Sequence, residues 1–184
     1  MTPSMTSIQL SNWQGYMTND EVYAMQALAL EMPDKAIIAK IGAGAGTDAL
    51  AMLEMREDIV IFSIDILAGE SPTTTNEHLR LDEAGFANNG NLIRIWGDSK
   101  IVCKHWPLAV DWLHIDGGHL EPEIKGDLLG WLPYVKKGGY VSFHDYDSPR
   151  WPAVRMVVDM YMQKHIPQPK FSADTLMVYK KYGK

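Results

Sequence analysis

Three features of the sequence predict a doubly wound α/β sandwich of three layers, with about seven strands, mostly parallel and closed by an antiparallel hairpin. Short apolar runs alternate with segments of helical spacing along most of the chain. A glycine run, Gly42-Ala43-Gly44-Ala45-Gly46, follows the first apolar run and leads into a helix. Two later runs, Ala109–Ile115 and Tyr140–Phe143, each give way abruptly to a carboxylate, Asp116 and Asp145. Such alternation calls for a parallel sheet covered on both faces, joined by right-handed crossovers.

Thr18-Asn19-Asp20-Glu21 fits a capping box, with Thr18 as N-cap and Glu21 at the third helical position. Val22, Met25, Ala29 and Met32 recur at helical spacing until Pro33 stops the helix. Ala36–Ile41 is the first strand, interrupted only by Lys40, and a helix over Thr47–Arg56 follows the glycines. Ile59–Ile64 is continuously apolar, as a strand buried on both faces must be, and ends at Asp65. Residues 66–75 read as a loop and Asn76–Ala87 as a weaker helix. Leu92–Trp96 is the third strand, followed by Gly97-Asp98-Ser99 and a helical turn. After Asp116, Pro122 suits a helix's first turn, and Ile124, Leu128 and Trp131/Leu132 give its buried face. Gly138-Gly139 turns the chain into the fifth strand. A helix near Ala153–Lys164 and a hairpin of Lys170–Ser172 with Leu176–Tyr179 complete the order.

The 184 residues suffice for one domain with a hydrophobic core, expected over 18–184 behind an N-terminal segment 1–17. Trp13 and Tyr16 on that segment are candidates for a lid. With 46% apolar and 22% charged residues, the composition is that of a globular protein. No apolar run is long enough to span a bilayer, no charged start leads into an apolar leader, and the single cysteine, Cys103, fits a reducing cytoplasm. A net charge of -6 argues against nucleic acid as a partner. The expectation is a cytoplasmic protein acting on a small molecule, with no membrane partner. A homo-oligomer is left open.

Side chains just past the carboxyl ends of parallel strands line the ligand crevice of such a sheet. Glycines after the first strand let the backbone approach a ligand closely, with the next helix aimed at it. The run is G-x-G-x-G rather than the dinucleotide pattern G-x-G-x-x-G, since Thr47 stands where the third glycine would fall. Asp65 is placed to accept hydrogen bonds from ribose hydroxyls, and Asp98 to reach an adenine edge. Glycine loop, Asp65, Asp98 and Asp116 together describe a nucleoside pocket without a phosphate cradle. Asp116 and Asp145 could also hold a hard divalent cation such as Mg²⁺. His119, three residues past Asp116, has an ordinary pKa suited to proton removal near neutrality.

The motif I-D-G-G-H at 115–119, with Asp127, Gly138-Gly139 and F-H-D at 143–145, resembles the class I S-adenosylmethionine-dependent methyltransferases. Within them it is similar to the group of macrocin O-methyltransferase and the cephalosporin-hydroxylase-like proteins. The resemblance covers roughly residues 15–180 and implies a Rossmann-like sandwich. It implies that Gly42, Gly44 and Gly46 pack against the methionine part of the cofactor, with Asp65 on the ribose and Asp98 and Ser99 at the adenine. It also implies a metal held by Asp116, His144 and Asp145, with imidazole replacing one carboxylate of the family's acid pair. Such a ligand tilts preference toward Mn²⁺, Fe²⁺ or Zn²⁺ without excluding Mg²⁺.

The expected function is S-adenosylmethionine-dependent O-methylation of a small-molecule hydroxyl with divalent-metal assistance, His119 taking the proton beside Asp116. One departure weighs against it: Lys40 stands where the family carries an acid near the cofactor's ammonium, so weaker cofactor binding is expected. The alternatives are a binding protein of the same fold with little or no turnover, or another metal-dependent reaction on the same scaffold.

Overall fold

The computed structural model describes residues 9, 17–66, 76–86, 90–166 and 168–182. Trp13, Tyr16 and most of the loop after Asp65 lie outside the described residues. The elements run α1 (Asn19–Leu30), β1 (Ile37–Ile41), α2 (Thr47–Met55), β2 (Val60–Asp65), α3 (Asn76–Glu83), β3 (Leu92–Trp96) and α4 (Ser99–Val102). There follow β4 (Val110–Ile115), α5 (Glu121–Trp131), β5 (Val135–Phe143), α6 (Pro152–His165), β6 (Pro169–Ala173) and β7 (Leu176–Lys180). Short 3₁₀ turns follow α4 and α5.

The seven strands form one sheet in the order β3-β2-β1-β4-β5-β7-β6. The first five are parallel, and the hairpin β6–β7 adds on antiparallel to β5. The direction of winding reverses between β1 and β4, which is where such sheets open their crevice.

Alternation along the central strands divides the core in two. Ile38, Trp112 and Tyr140 pack on one face with α1, α2 and Leu81 of α3. Their neighbours Ala39, Leu113 and Val141 pack on the other with Ile124, Leu128 and Trp131 of α5 and Val157, Val158 and Met162 of α6. Every residue of β4 is buried, as a central strand requires. The capping box forms as the sequence predicts: Glu21 N donates to Thr18 Oγ1 at 3.3 Å, and Thr18 N donates to Glu21 at 2.8 Å.

β5 is longer than the sequence predicts. The glycines sit inside it rather than before it: the strand begins at Val135, and the register with β4 slips between Val110 and Trp112. Gly138 takes φ +83°, and a side chain at Gly139 would meet Asp111 O at 2.8 Å, so the glycines form a kink that a longer residue could not enter.

At the mouth of the sheet, β1 and β4 come close enough to touch. Asp116 N donates to Ile41 O at 2.9 Å, and a β-carbon on Gly42 would lie 2.1 Å from Asp116 O. No helix among the described residues is long and apolar enough to cross a membrane.

Candidate active site

A cavity of about 840 Å³ opens at the carboxyl ends of the parallel strands. Gly42, Gly44, Gly46, Asp65, Ser99, Asp116, His119, His144 and Asp145 all line it. The glycine turn is braced from beside it: Asp65 accepts a 2.7 Å hydrogen bond from Ala43 N. A side chain at Gly44 would project into open space, whereas one at Gly46 would strike Glu77 of α3 at 2.9 Å.

Asp98 is placed differently from the others. It caps α4, accepting from Lys100 N at 2.9 Å, and pairs with Lys100 Nζ at 3.0 Å, outside the residues that line the cavity. Ser99 does line it, and its hydroxyl donates to Asp127 of α5. Burial pushes the Asp127 carboxyl up to about 6, although the Ser99 hydroxyl and Lys100 pull the other way. Asp127 thus ties α5 to the turn after β3.

Lys40 is fully buried beneath the glycine turn. Its Nζ donates to Gly42 O at 2.5 Å and Ala43 O at 2.8 Å, and it pairs with Asp48 at 3.0 Å and Glu77 at 3.3 Å. Burial works against the ammonium, but Asp48 and Glu77 outweigh it and hold the Lys40 pKa above its usual value. The side chain is not part of the cavity wall. His114 joins this group from β4. Trp112 Nε1 donates to Ser142 Oγ at 2.7 Å, and His114 Nδ1 shares a hydrogen bond with the same hydroxyl at 2.8 Å. His114 Nε2 faces Asp48 Oδ2 at 3.5 Å.

The residues expected to hold a metal do come together. One ligating atom each from Asp116, His144 and Asp145 lies within 4.8 Å of the others. His144 Nδ1 is 3.0 Å from Asp116 Oδ1 and 3.5 Å from Asp145 Oδ2. Its buried Nε2 makes no hydrogen bond among the described residues, and Glu21 Oε2 stands 3.5 Å away. Burial disfavours the charged imidazole, yet Asp116 and Glu21 overcome this and hold the His144 pKa well above normal. For Glu21 too, burial is outweighed, here by His144, Thr175 and Thr18, and its carboxyl sits at about 2. An imidazole with one nitrogen toward two carboxylates and the other toward a third matches a metal-ligating histidine and its supporting acid. The donor set fits a divalent cation.

His119 Nε2 lies 2.9 Å from Asp145 Oδ2. The ring stacks on Trp151, centroids 4.4 Å apart and planes 13° from parallel. Asp145 occupies the left-handed region at φ +58°, a conformation aspartate tolerates better than most residues and one that marks a constrained position.

Sequence reasoning passed over Glu21, Asp48 and Glu77. Glu21 is accounted for as a capping residue, so its contacts to His144 and Thr175 are invisible until the fold closes. Asp48 and Glu77 had one available signal: a lysine inside an apolar strand requires acids nearby.

A reversed parallel sheet with a glycine turn and strand-end acids around one large cavity is the architecture of the Rossmann-like class. Residues 39–146, more than half of the sequence, match the family model described as a methyltransferase domain, and the chain belongs to that family, the class I S-adenosylmethionine-dependent type. An uncharacterised protein of Acanthamoeba polyphaga mimivirus is 28% identical over 144 residues, covering 73% of this chain and 65% of that protein. The chain therefore spans just under two thirds of that relative's length. A provisionally assigned caffeoyl-CoA O-methyltransferase of Staphylococcus aureus superposes with a TM-score of 0.72 at 14% identity, over 94% of this chain and 89% of that one. The O-methyltransferase TomG of Streptomyces achromogenes, solved with its methyl donor, gives 0.69 at 14% identity over 96% and 88%. These likenesses establish the fold.

Proposed function

We propose that the protein transfers a methyl group from S-adenosylmethionine to a hydroxyl of a small molecule. The observation that carries this reading is the His119–Asp145 pair on the wall of the cavity that also holds the glycine turn. The bound donor supplies an activated methyl on a sulfonium, so the protein's tasks are to align an oxygen nucleophile, exclude water and accept one proton. Asp145 takes the Nε2–H of His119 and fixes the tautomer, leaving Nδ1 with the lone pair for the acceptor's proton. Stacking on Trp151 holds the ring in that orientation. Asp116, His144 and Asp145 would hold a divalent cation, whose chemistry there is to lower the acceptor hydroxyl's pKa and fix its position.

Lys40 does not count against cofactor binding in this reading, because its charge is spent on Asp48, Glu77 and the carbonyls of the glycine turn. That removes the main support for a binding protein without turnover.

Calorimetry with S-adenosylmethionine and S-adenosylhomocysteine tests the pocket, and product formation over a panel of hydroxylated acceptors tests the reaction. In His119→Ala, cofactor affinity stays at the parent value while turnover falls about 10²–10⁴-fold, the usual contribution of a positioned base. Parent-level turnover in that variant would remove His119 from the scheme.

A further inference from the structure

The segment between β5 and α6 brings Ser148, Arg150 and Trp151 to the cavity. Two planar groups lie against the Trp151 ring: the His119 imidazole at 4.4 Å and the Arg150 guanidinium carbon at 4.9 Å. His119 is thus fixed twice, by stacking and by Asp145. Among the described residues no acid fixes Arg150. The nearby carboxylates belong to Arg155, which pairs with Asp147 at 2.6 Å and Asp159 at 3.7 Å. Asp159 also accepts from the Tyr146 hydroxyl at 2.5 Å. Lys100, the other lysine or arginine of the cavity wall, is held by Asp98. Among the described residues no carboxylate lies within ion-pair distance of Arg150.

The acids at this end of the cavity are already matched, Asp116 by His144 and Asp145 by His119. An anionic group entering here therefore meets one permanent, uncommitted cation. A guanidinium presents a planar fork that suits a carboxylate in two parallel hydrogen bonds.

We infer that Arg150 receives an acidic substituent of the acceptor, whose class is a planar hydroxylated ring bearing a carboxylate, its hydroxyl toward His119. This rests on the methyltransferase reading above. Base and guanidinium lie against the same indole and line the same cavity, so one acceptor molecule can address both. A neutral phenol would leave the guanidinium to water.

The test is calorimetry on the protein saturated with S-adenosylhomocysteine, using 4-hydroxybenzoate, phenol and 4-hydroxyphenyl phosphate as matched probes. The carboxylate binds at least ~10-fold more tightly than phenol, the scale of a charge-assisted hydrogen bond. Arg150→Met abolishes that preference and Arg150→Lys retains part of it, with S-adenosylhomocysteine affinity unchanged in both. Equal binding of hydroxybenzoate and phenol overturns the inference, as does a preference that survives Arg150→Met. Tighter binding of the phosphate than of the carboxylate also overturns it. Failure of the parent protein to bind S-adenosylhomocysteine removes the methyltransferase reading and this one together. Cofactor binding without a carboxylate preference removes only the acceptor class.

Discussion

Two clusters of acid and imidazole share Asp116, and by donor count they are twins: Asp48, His114 and Asp116 on one side, Asp116, His144 and Asp145 on the other. They differ in what supplies the positive charge. The first has Lys40 inside it, buried and bound to two acids and two backbone carbonyls. A divalent ion there would face a permanent ammonium a few ångströms away. The second has only an imidazole, which can give up its proton to a base or its place between carboxylates to a metal. Equal numbers of ligating atoms thus describe a closed ionic support in one case and a cluster with no lysine in it in the other. The cation decides.

Removing that cation gives the largest expected effect. Lys40→Met leaves Asp48 buried without its partner and lowers stability by about 3–5 kcal/mol in denaturant titration. The double variant Lys40→Met/Asp48→Asn recovers a large part of the loss. Lys40→Glu, which restores the family's acid, brings a third carboxylate against Asp48 and Glu77 and is at least as damaging. Unchanged stability in Lys40→Met would erase the distinction between the clusters.

Asp127 belongs to neither cluster and has a hydroxyl, Ser99, as its hydrogen-bond partner. Its folded pKa of about 6 stands above the ordinary 3.8 of an unfolded aspartate. Its contribution is therefore fully present below pH 3.8 and is lost as pH rises through about 6. Between those limits the parent loses about 3 kcal/mol that Asp127→Asn does not lose. Chemical denaturation of both proteins at pH 4, 5, 6 and 7 checks this, and parallel slopes would refute it.

The smallest effect sharpens the second cluster. Mn²⁺ at about a hundred times its Kd stabilises the parent by about 2.7 kcal/mol. Thermal shift in the presence of Mn²⁺ shows this gain in the parent and not in His144→Ala or Asp116→Asn. A gain that persists in His144→Ala but vanishes in Asp48→Asn would put the ion in the wrong cluster.

The sheet was legible because periodicity and turn chemistry are local. The capping box at Thr18–Glu21, the glycine turn and the acids at the ends of β2, β4 and β5 all fall where the sequence predicts. Pairings were less legible, because they join residues far apart in sequence. His119 and Asp145 were each singled out, but for separate duties; only the fold shows the 2.9 Å contact that makes them one unit. Lys40 read as a threat to the cofactor because Glu77 sits on α3, a helix with little apolar pattern to announce that one of its acids is buried. Asp98 shows the converse: its place after a strand suits a ligand, and the fold shows that its side chain also caps a helix.

The near-collision of Gly42 with the carbonyl of Asp116 bears on how mutants of this family should be interpreted. An alanine at that position would push two neighbouring strand tips apart before any nucleoside arrived. Loss of activity in such a mutant would report a sprung joint rather than a vacated binding pocket. A folding measurement must therefore accompany every substitution in that turn.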